Sequence, residues 1–454
     1  MSNLKSKKLE LKIEDSIYPA TGIAYYEGEE IRIKHALPGQ KVKVGVGKKK
    51  QAGYHKGRLL EVLEHSPAEK EAECDHYQLC GGCNQQSLDY QKQFEKKQAE
   101  LKKLFAEQGI KDYNLTQFEP SPDIFEYRNN MEFSFGDLEP GGKLQLGMHR
   151  RGRQYDVVSV ETCQLVDQDF RQILKTILEY FRNLDYKKYH IKRREGYLRH
   201  LVVRKGINTG EILINLVTTS QREHDFSELT AKLTELDYQG ELVGFLQTVN
   251  DDYSDAVQAD ELKIHYGRDY FYEQLLDYKF KVKPFSFFQT NTKGAEVLYQ
   301  MVQELLSDLK GKVVYDLYCG TGSVALVTAR DAKEIYGLEV VEEAVEMAKE
   351  NAQLNGVDNC EFIAGDVLKR IDELEQKPDV ILIDPPRPGV HPKALDKIIA
   401  TGAKEIVYVS CNPKTLARDL EKLAVNDYEI VETKAIDMFP HTPHIESCLK
   451  LLKR

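Results

Sequence analysis

The sequence predicts a chain of three parts: an OB-like β-barrel over residues 1–66, a central α+β region carrying a metal-cysteine cluster over 67–280, and a C-terminal α/β Rossmann-like domain over 281–454. Three observations carry this expectation. Short runs of alternating apolar and polar residues fill the N-terminal stretch. Cys74, Cys80 and Cys83 then crowd together. From about residue 296, apolar strand runs alternate with helical stretches, the pattern of a doubly wound parallel sheet.

The bulk numbers bound the function. A chain of 454 residues with 41% hydrophobic and 30% charged residues is that of a soluble protein with more than one domain. Met1–Lys8 has no apolar segment of a signal peptide, and no apolar run is long enough to span a bilayer, so a cytoplasmic location without membrane association is expected. The net charge of −10 hides an asymmetry: residues 1–60 hold 13 Lys/Arg against 6 Asp/Glu. A basic N-terminal module on an acidic body suits a nucleic-acid grip, the alternative being a solvated lysine surface.

In the barrel, Leu9–Ile13, Glu30–Lys34 and Lys41–Val46 alternate with period two, and Leu37-Pro38-Gly39 supplies a turn. Lys48, Lys49, Lys50, His55 and Lys56 are expected on a loop facing a phosphate backbone. The cysteine cluster follows. In a cytoplasmic chain it points to metal rather than disulfides. An amphipathic helix is expected over roughly Tyr90–Gln108, closed by Gly109. Leu201–Arg204 and Glu211–Leu216 read as strands, and the rest of the middle region gives few signals. Arg128 and the run His149-Arg150-Arg151-Gly152-Arg153 could hold a nucleic-acid strand; a hairpin turn with solvated charges is the alternative.

The C-terminal domain is the most legible. Val313–Asp316, Glu334–Glu339, Val380–Asp384 and Ile406–Val409 read as its strands. Asp316-Leu317-Tyr318-Cys319-Gly320-Thr321-Gly322-Ser323 joins the first strand to a helix, where glycines let backbone approach a ligand closely. Gly320-x-Gly322-x-x-Ala325 alone would fit a dinucleotide. Two features turn the reading toward S-adenosylmethionine. Asp316 before the glycines suits a cationic ligand, and Asp384-Pro385-Pro386-Arg387 forms a stiff acidic loop at a later strand end. Glu339 is placed to bind ribose hydroxyls, and Asp366 either meets an adenine amine or caps a helix.

Cys411 lies in Val409-Ser410-Cys411-Asn412-Pro413, between a buried strand and a helix that Pro413 begins. A thiol near a helix N-terminus is expected to favour thiolate, which makes it a nucleophile. The alternative is a core cysteine.

With the glycine loop, the Asp-Pro-Pro loop and Ser410-Cys411-Asn412-Pro413 in register, the chain resembles the RNA uracil-5-methyltransferases of the TrmA/RumA type, class I enzymes that use S-adenosylmethionine. The resemblance covers nearly the whole length. Lys34-His35-Ala36-Leu37-Pro38-Gly39-Gln40 resembles the family's TRAM domain, an RNA-binding barrel. Cys74-x5-Cys80-Gly81-Gly82-Cys83 with Cys163 resembles its four-cysteine iron–sulfur site. Phe287-Phe288-Gln289-Thr290-Asn291 resembles its cofactor-entry segment, and Phe439-Pro440-His441-Thr442-Pro443-His444-Ile445-Glu446 its C-terminal signature.

The resemblance implies Gln289, Tyr318, Glu339 and Asp384 as cofactor contacts, Cys411 as nucleophile and Glu446 as base. It implies that Cys74, Cys80, Cys83 and Cys163 hold a [4Fe–4S] cluster, with zinc fitting the spacing less well; His76 is a spare ligand. Ser323 departs from the asparagine that relatives often carry. His441 and His444 are expected to be loop scaffold or RNA contacts. The implied reaction methylates C5 of a uridine in 23S ribosomal RNA through a covalent adduct of the cysteine at uracil C6, with the base flipped into the pocket. Transfer RNA is the alternative substrate. A non-enzymatic RNA-binding or ribosome-assembly factor is the alternative function. No obligate protein partner is evident.

Overall fold

Period-two alternation in the N-terminal stretch folds into one six-stranded sheet. Its strands run in the order Lys8–Lys12, Lys41–Gln51, Tyr54–Glu64, Glu29–Lys34, Thr21–Tyr26, Asp15–Ile17. The apolar members of each alternation, among them Leu9, Leu11, Ile31, Ile33, Val42 and Val44, share one core. The computed structural model describes residues 8–51, 53–111, 113–153, 155–252 and 261–454. The expectation for residues 1–7 lies outside them. Lys48, Lys49 and Lys50 belong to the strand Lys41–Gln51 and not to a loop, the ladder with the next strand resuming at Lys50 and His55 after a register shift; Lys50 is paired with Glu29. His55 and Lys56 likewise sit in the strand Tyr54–Glu64.

The helix Tyr90–Glu107 starts on Asp89, whose side chain accepts from Gln91 N, and ends before Gly109 at φ +75°. Leu101, Leu104 and Phe105 bury one face of it in the C-terminal core. The central region is built on a seven-stranded sheet that includes Leu198–Lys205 and Glu211–Thr218, covered by the helix Gln168–Asn183.

The C-terminal sheet has eight strands. Their order is Cys360–Ala364, Glu334–Glu339, Val313–Leu317, Val380–Ile383, Glu405–Ser410, Glu446–Lys453, Tyr428–Ile436, Leu115–Glu119. The first five are parallel; Glu446–Lys453 runs antiparallel to both of its neighbours. Strand order reverses around Val313–Leu317, so the crevice for a ligand lies at its C-terminal end, beside that of Val380–Ile383. All five residues of Val313–Leu317 are buried, as a strand covered on both faces requires. Leu115–Glu119 comes from far upstream, so the sheet is not confined to residues 281–454. Among the described residues no helix is long and apolar enough to cross a membrane.

Candidate active site

Tyr318, Gly320 and Gly322 all take positive φ (+67°, +53° and +81°), turning the chain sharply from the strand Val313–Leu317 into the helix Ser323–Thr328. A Cβ at Gly322 would meet Ala348 and Phe362 at 3.0 Å, so glycine is needed there twice over. Glu339 braces the turn: its Oε2 accepts from Gly320 N at 3.1 Å and its Oε1 from Val341 N at 3.0 Å. Asp316 sits beneath the loop with no exposed surface, and neither carboxylate oxygen has a hydrogen-bond partner. Burial and the nearby Asp384 push its carboxyl up to about 7; the N–H of Ala325, nearby but outside hydrogen-bonding geometry, offsets this only in part. An orphaned buried carboxylate of this kind fits a cationic ligand, the donor set expected for a sulfonium with its ammonium group. Asp366 caps the short helix Val367–Arg370, accepting from Leu368 N at 2.9 Å, so its capping role is the one that is filled.

A second group gathers at the neighbouring strand ends. Ser410 pairs with Ser447 across the antiparallel ladder, and Val409 with Cys448. Cys411 follows the last rung, Ser410–Ser447, and Glu446 precedes it, so both lie at the same end of the ladder, where the Glu446 carboxyl acts on the thiol. Asn412 caps the helix Pro413–Val425, and its Nδ2 donates to the Arg387 carbonyl at 3.0 Å, tying the cysteine turn to the Asp384–Pro388 loop.

Electrostatics here overturn one expectation. The Cys411 thiol is pushed up to about 11, not down. Burial is the largest cause, followed by the carboxyl groups of Glu446 and Asp384, while Arg387 pulls the other way. A helix terminus contributes a partial charge only, which burial and two carboxyls outweigh. Burial and Asp384 raise Glu446 well above the usual carboxylate range, and burial lifts Asp384 to about 6.

The loop from Asp437 to Glu446 is held from several elements. Lys97 Nζ donates to Asp437 Oδ1 at 2.5 Å, both side chains being wholly buried, and to the Phe439 carbonyl at 3.0 Å. Asn291 Nδ2 donates to the Met438 carbonyl at 2.8 Å, and Tyr127 to that of Pro440 at 3.0 Å. Gln289, two residues before Asn291, is thereby brought to this loop; its carbonyl accepts from Asn129 at 2.8 Å. His441 is scaffold: Gln93 binds its backbone N–H and its Nδ1, and Phe125 stacks on its ring at 4.5 Å. His444 is half-buried, and burial, with the charges of Arg387, Lys97 and Arg128, pushes its imidazole down to about 4. Sequence reasoning assigned no role to Lys97, Arg387 or Tyr18. Arg387 lay within a motif already singled out, whereas Lys97 and Tyr18 act through contacts distant in sequence.

The cysteine region gives a partial outcome. Cys74, Cys80, Cys83 and Cys163 lie within electrostatic reach of one another. Gly82 N donates to Cys80 Sγ at 3.3 Å, and Gln86 Nε2 to Cys83 Sγ at 3.6 Å. As they stand, however, no three or more His, Cys, Asp or Glu among the described residues form a group that could hold a metal ion. The expected metal-cysteine cluster is therefore not shown, and burial raises the thiols of Cys80, Cys83 and Cys163. The Arg151 guanidinium donates through Nη2 to the carbonyls of Tyr77 and Cys83.

The family model of tRNA (uracil-5-)-methyltransferases matches residues 89–454. The chain belongs to this family. An RNA methyltransferase of Clostridium tetani, described as uncharacterized, is 51% identical over 100% of this chain and 99% of its own. One of Bacillus cereus with the same description is 32% identical, covering 99% and 97%. The crystal structure of the Pyrococcus abyssi tRNA (uracil-54, C5)-methyltransferase with S-adenosyl-L-homocysteine superposes with a TM-score of 0.77 at 29% identity, covering 97% of this chain and 99% of that one. The protein is thus an RNA (uracil-5-)-methyltransferase that uses S-adenosylmethionine. In the methyltransferase the strand of the orphaned Asp316 and the strand that leads to Cys411 flank Val380–Ile383, the strand that leads to Asp384.

Proposed function

We propose that this methyltransferase modifies C5 of a flipped uridine through covalent catalysis by Cys411, with Glu446 as base. The observation that supports this is the ladder whose last rung, Ser410–Ser447, adjoins both Cys411 and the buried Glu446, with the Asp384 carboxyl acting on both. Asp316, Glu339, Tyr318 and Gln289 would hold the cofactor, which supplies the methyl group when bound. Once its proton has left, the Cys411 sulfur forms a bond to uracil C6. The C5=C6 pair then moves to make an enolate, C5=C4–O⁻, and C5 becomes nucleophilic enough to take the methyl. Glu446 afterwards removes the C5 proton; that electron pair rebuilds C5=C6 and expels the thiolate. The half-buried Asp384, with a carboxyl near 6, is ionised at neutral pH and is the acceptor best placed to take the thiol proton first.

We further propose 23S ribosomal RNA as the substrate, gripped by the N-terminal sheet acting as a TRAM domain. A second reading, transfer RNA, is supported by the Pyrococcus abyssi enzyme, whose name specifies tRNA and whose match spans the N-terminal part as well. Layout alone therefore does not separate the two. Mapping 5-methyluridine in ribosomal and transfer RNA from cells with and without the gene does. Loss confined to transfer RNA would overturn the first reading, and no loss in either would overturn both.

We also propose that the four cysteines take up a [4Fe–4S] cluster in the cell. Support comes from the donor set, four thiols in one neighbourhood with two N–H groups aimed at sulfur.

A further inference from the structure

Tyr18 belongs to the N-terminal sheet by sequence, yet it does not pack there. It is 6% exposed and joins the apolar core of the C-terminal domain, together with Tyr408, Leu416 and Ala417. The barrel's approach is fixed by the residues just before it. Ser16 Oγ donates to Glu100 Oε1 at 3.1 Å, and Asp15 pairs with Lys103, both on the helix Tyr90–Glu107. Lys414, three residues after Cys411, sits 5.9 Å from the centroid of the Tyr18 ring. The groups that act on the phenol electrostatically are Glu446, Cys411, Arg387 and Glu100. Among the described residues the Tyr18 hydroxyl has no hydrogen-bond partner of its own.

We propose that Tyr18 completes the catalytic pocket from the N-terminal domain, its phenol donating a hydrogen bond to the target uracil as charge develops on O4. This rests on the reading of Cys411 as nucleophile and Glu446 as base. Addition of sulfur at C6 places a full negative charge on the enolate, and a buried crevice already holding three carboxyl groups opposes it. Donors aimed at that oxygen are therefore worth most in the transition state. Burial and the neighbouring carboxyl raise the Tyr18 phenol above its ordinary value, so it remains a donor throughout the working pH range. The chain keeps its barrel seated on the catalytic domain so that RNA held by one part is acted on with a group from the same part.

The test uses the full-length protein and an RNA that the wild type methylates. Tyr18→Phe keeps the ring and its packing while removing the donor. Single-turnover methylation at saturating RNA is expected to slow by about tenfold or more, the scale of one lost oxyanion donor. S-adenosylhomocysteine affinity is expected to change by less than about twofold, since this loss falls on the transition state rather than on ground-state binding. Covalent trapping on RNA carrying 5-fluorouridine should slow by the same factor. Tyr18→Phe with a wild-type single-turnover rate would overturn the inference, and so would a loss that saturating RNA restores. Tyr18→Leu, checked for its unfolding midpoint, should be no faster than Tyr18→Phe; a faster Tyr18→Leu would overturn it too. If wild type itself forms no adduct with 5-fluorouridine RNA, the fault lies with the nucleophile reading and not with Tyr18.

Discussion

Cys411 directly follows Ser410 and Glu446 directly precedes Ser447, and Ser410 and Ser447 form the last rung of an antiparallel ladder. Backbone pairing thus brings both residues to the same end of one ladder, which suits two groups that must act on adjacent carbons of one ring. The two should fail at different steps. Cys411→Ala is expected to bind RNA and cofactor, yet give neither product nor adduct. Glu446→Gln is expected to attack and methylate, then stall with RNA attached, because release requires the C5 proton to leave. A denaturing gel decides: a shifted, cofactor-dependent band should appear for Glu446→Gln and not for Cys411→Ala. A Cys411→Ala protein that turns over normally would end the assignment.

The raised thiol predicts a pH dependence. With Cys411 near 11, the thiol is protonated at neutral pH, and the thiolate fraction rises about tenfold per pH unit well below that value. Alkylation of Cys411 by iodoacetamide in the cofactor-free protein, followed by peptide mass spectrometry, should still be climbing at pH 9. An ordinary thiol near 8.5 would already be levelling off. Arg387 lowers this value, so Arg387→Gln should slow alkylation further at every pH below the plateau. A plateau by pH 8 would mean that the helix terminus wins after all.

The four-cysteine set makes a prediction that a metal-free pocket would not. Anaerobically purified protein should be brown and contain iron and acid-labile sulfide in near-equal amounts. Cys80→Ser should bleach it and weaken RNA binding more than cofactor binding. That follows because Asn84 and Gln85, just beyond Cys83, donate backbone hydrogen bonds to the His441 carbonyl at 3.0 and 3.1 Å, on the loop that leads to Glu446. Colourless protein with one zinc per chain would reject the cluster.

What could be read in the sequence follows from range. Strands such as Val313–Leu317 and Glu334–Glu339 announce themselves because both faces are buried, leaving an apolar run with chemistry only at its end. Pro413 and Gly109 mark helix ends by local backbone rules, and both are found where expected. Cys411 and Glu446 were legible as motif members, but their arrival at the same end of one ladder depends on the pairing of two strands that the sequence does not show to be neighbours. Tyr18 and the buried Lys97–Asp437 pair gave no local signal at all, since each is defined by a partner hundreds of residues away. The thiol's protonation was misjudged because a helix terminus is visible in sequence, whereas the carboxyl groups crowding the same crevice are not.

Asp316 supplies the clearest opposition between stability and function. Its carboxyl titrates near 7 in the folded protein against about 3.8 in the unfolded chain, so the folded state binds the extra proton. That contribution is fully present below the unfolded value and is lost as pH rises through 7. At roughly 1.4 kcal/mol per pKa unit, carrying the bare charge at pH 8 costs on the order of 4 kcal/mol. Asp316→Asn removes the charge with nearly the same volume. The cofactor-free mutant should therefore unfold at a higher temperature than wild type at pH 8, and the gap should narrow toward pH 5, where wild type is protonated. Affinity for S-adenosylhomocysteine, read by calorimetry, should fall by about tenfold or more as the partner for its ammonium group is lost. A mutant less stable than wild type at pH 8 would show that the carboxylate has a stabilising partner in the free protein, and that Asp316 is part of the fold's support and not held in reserve for a cation.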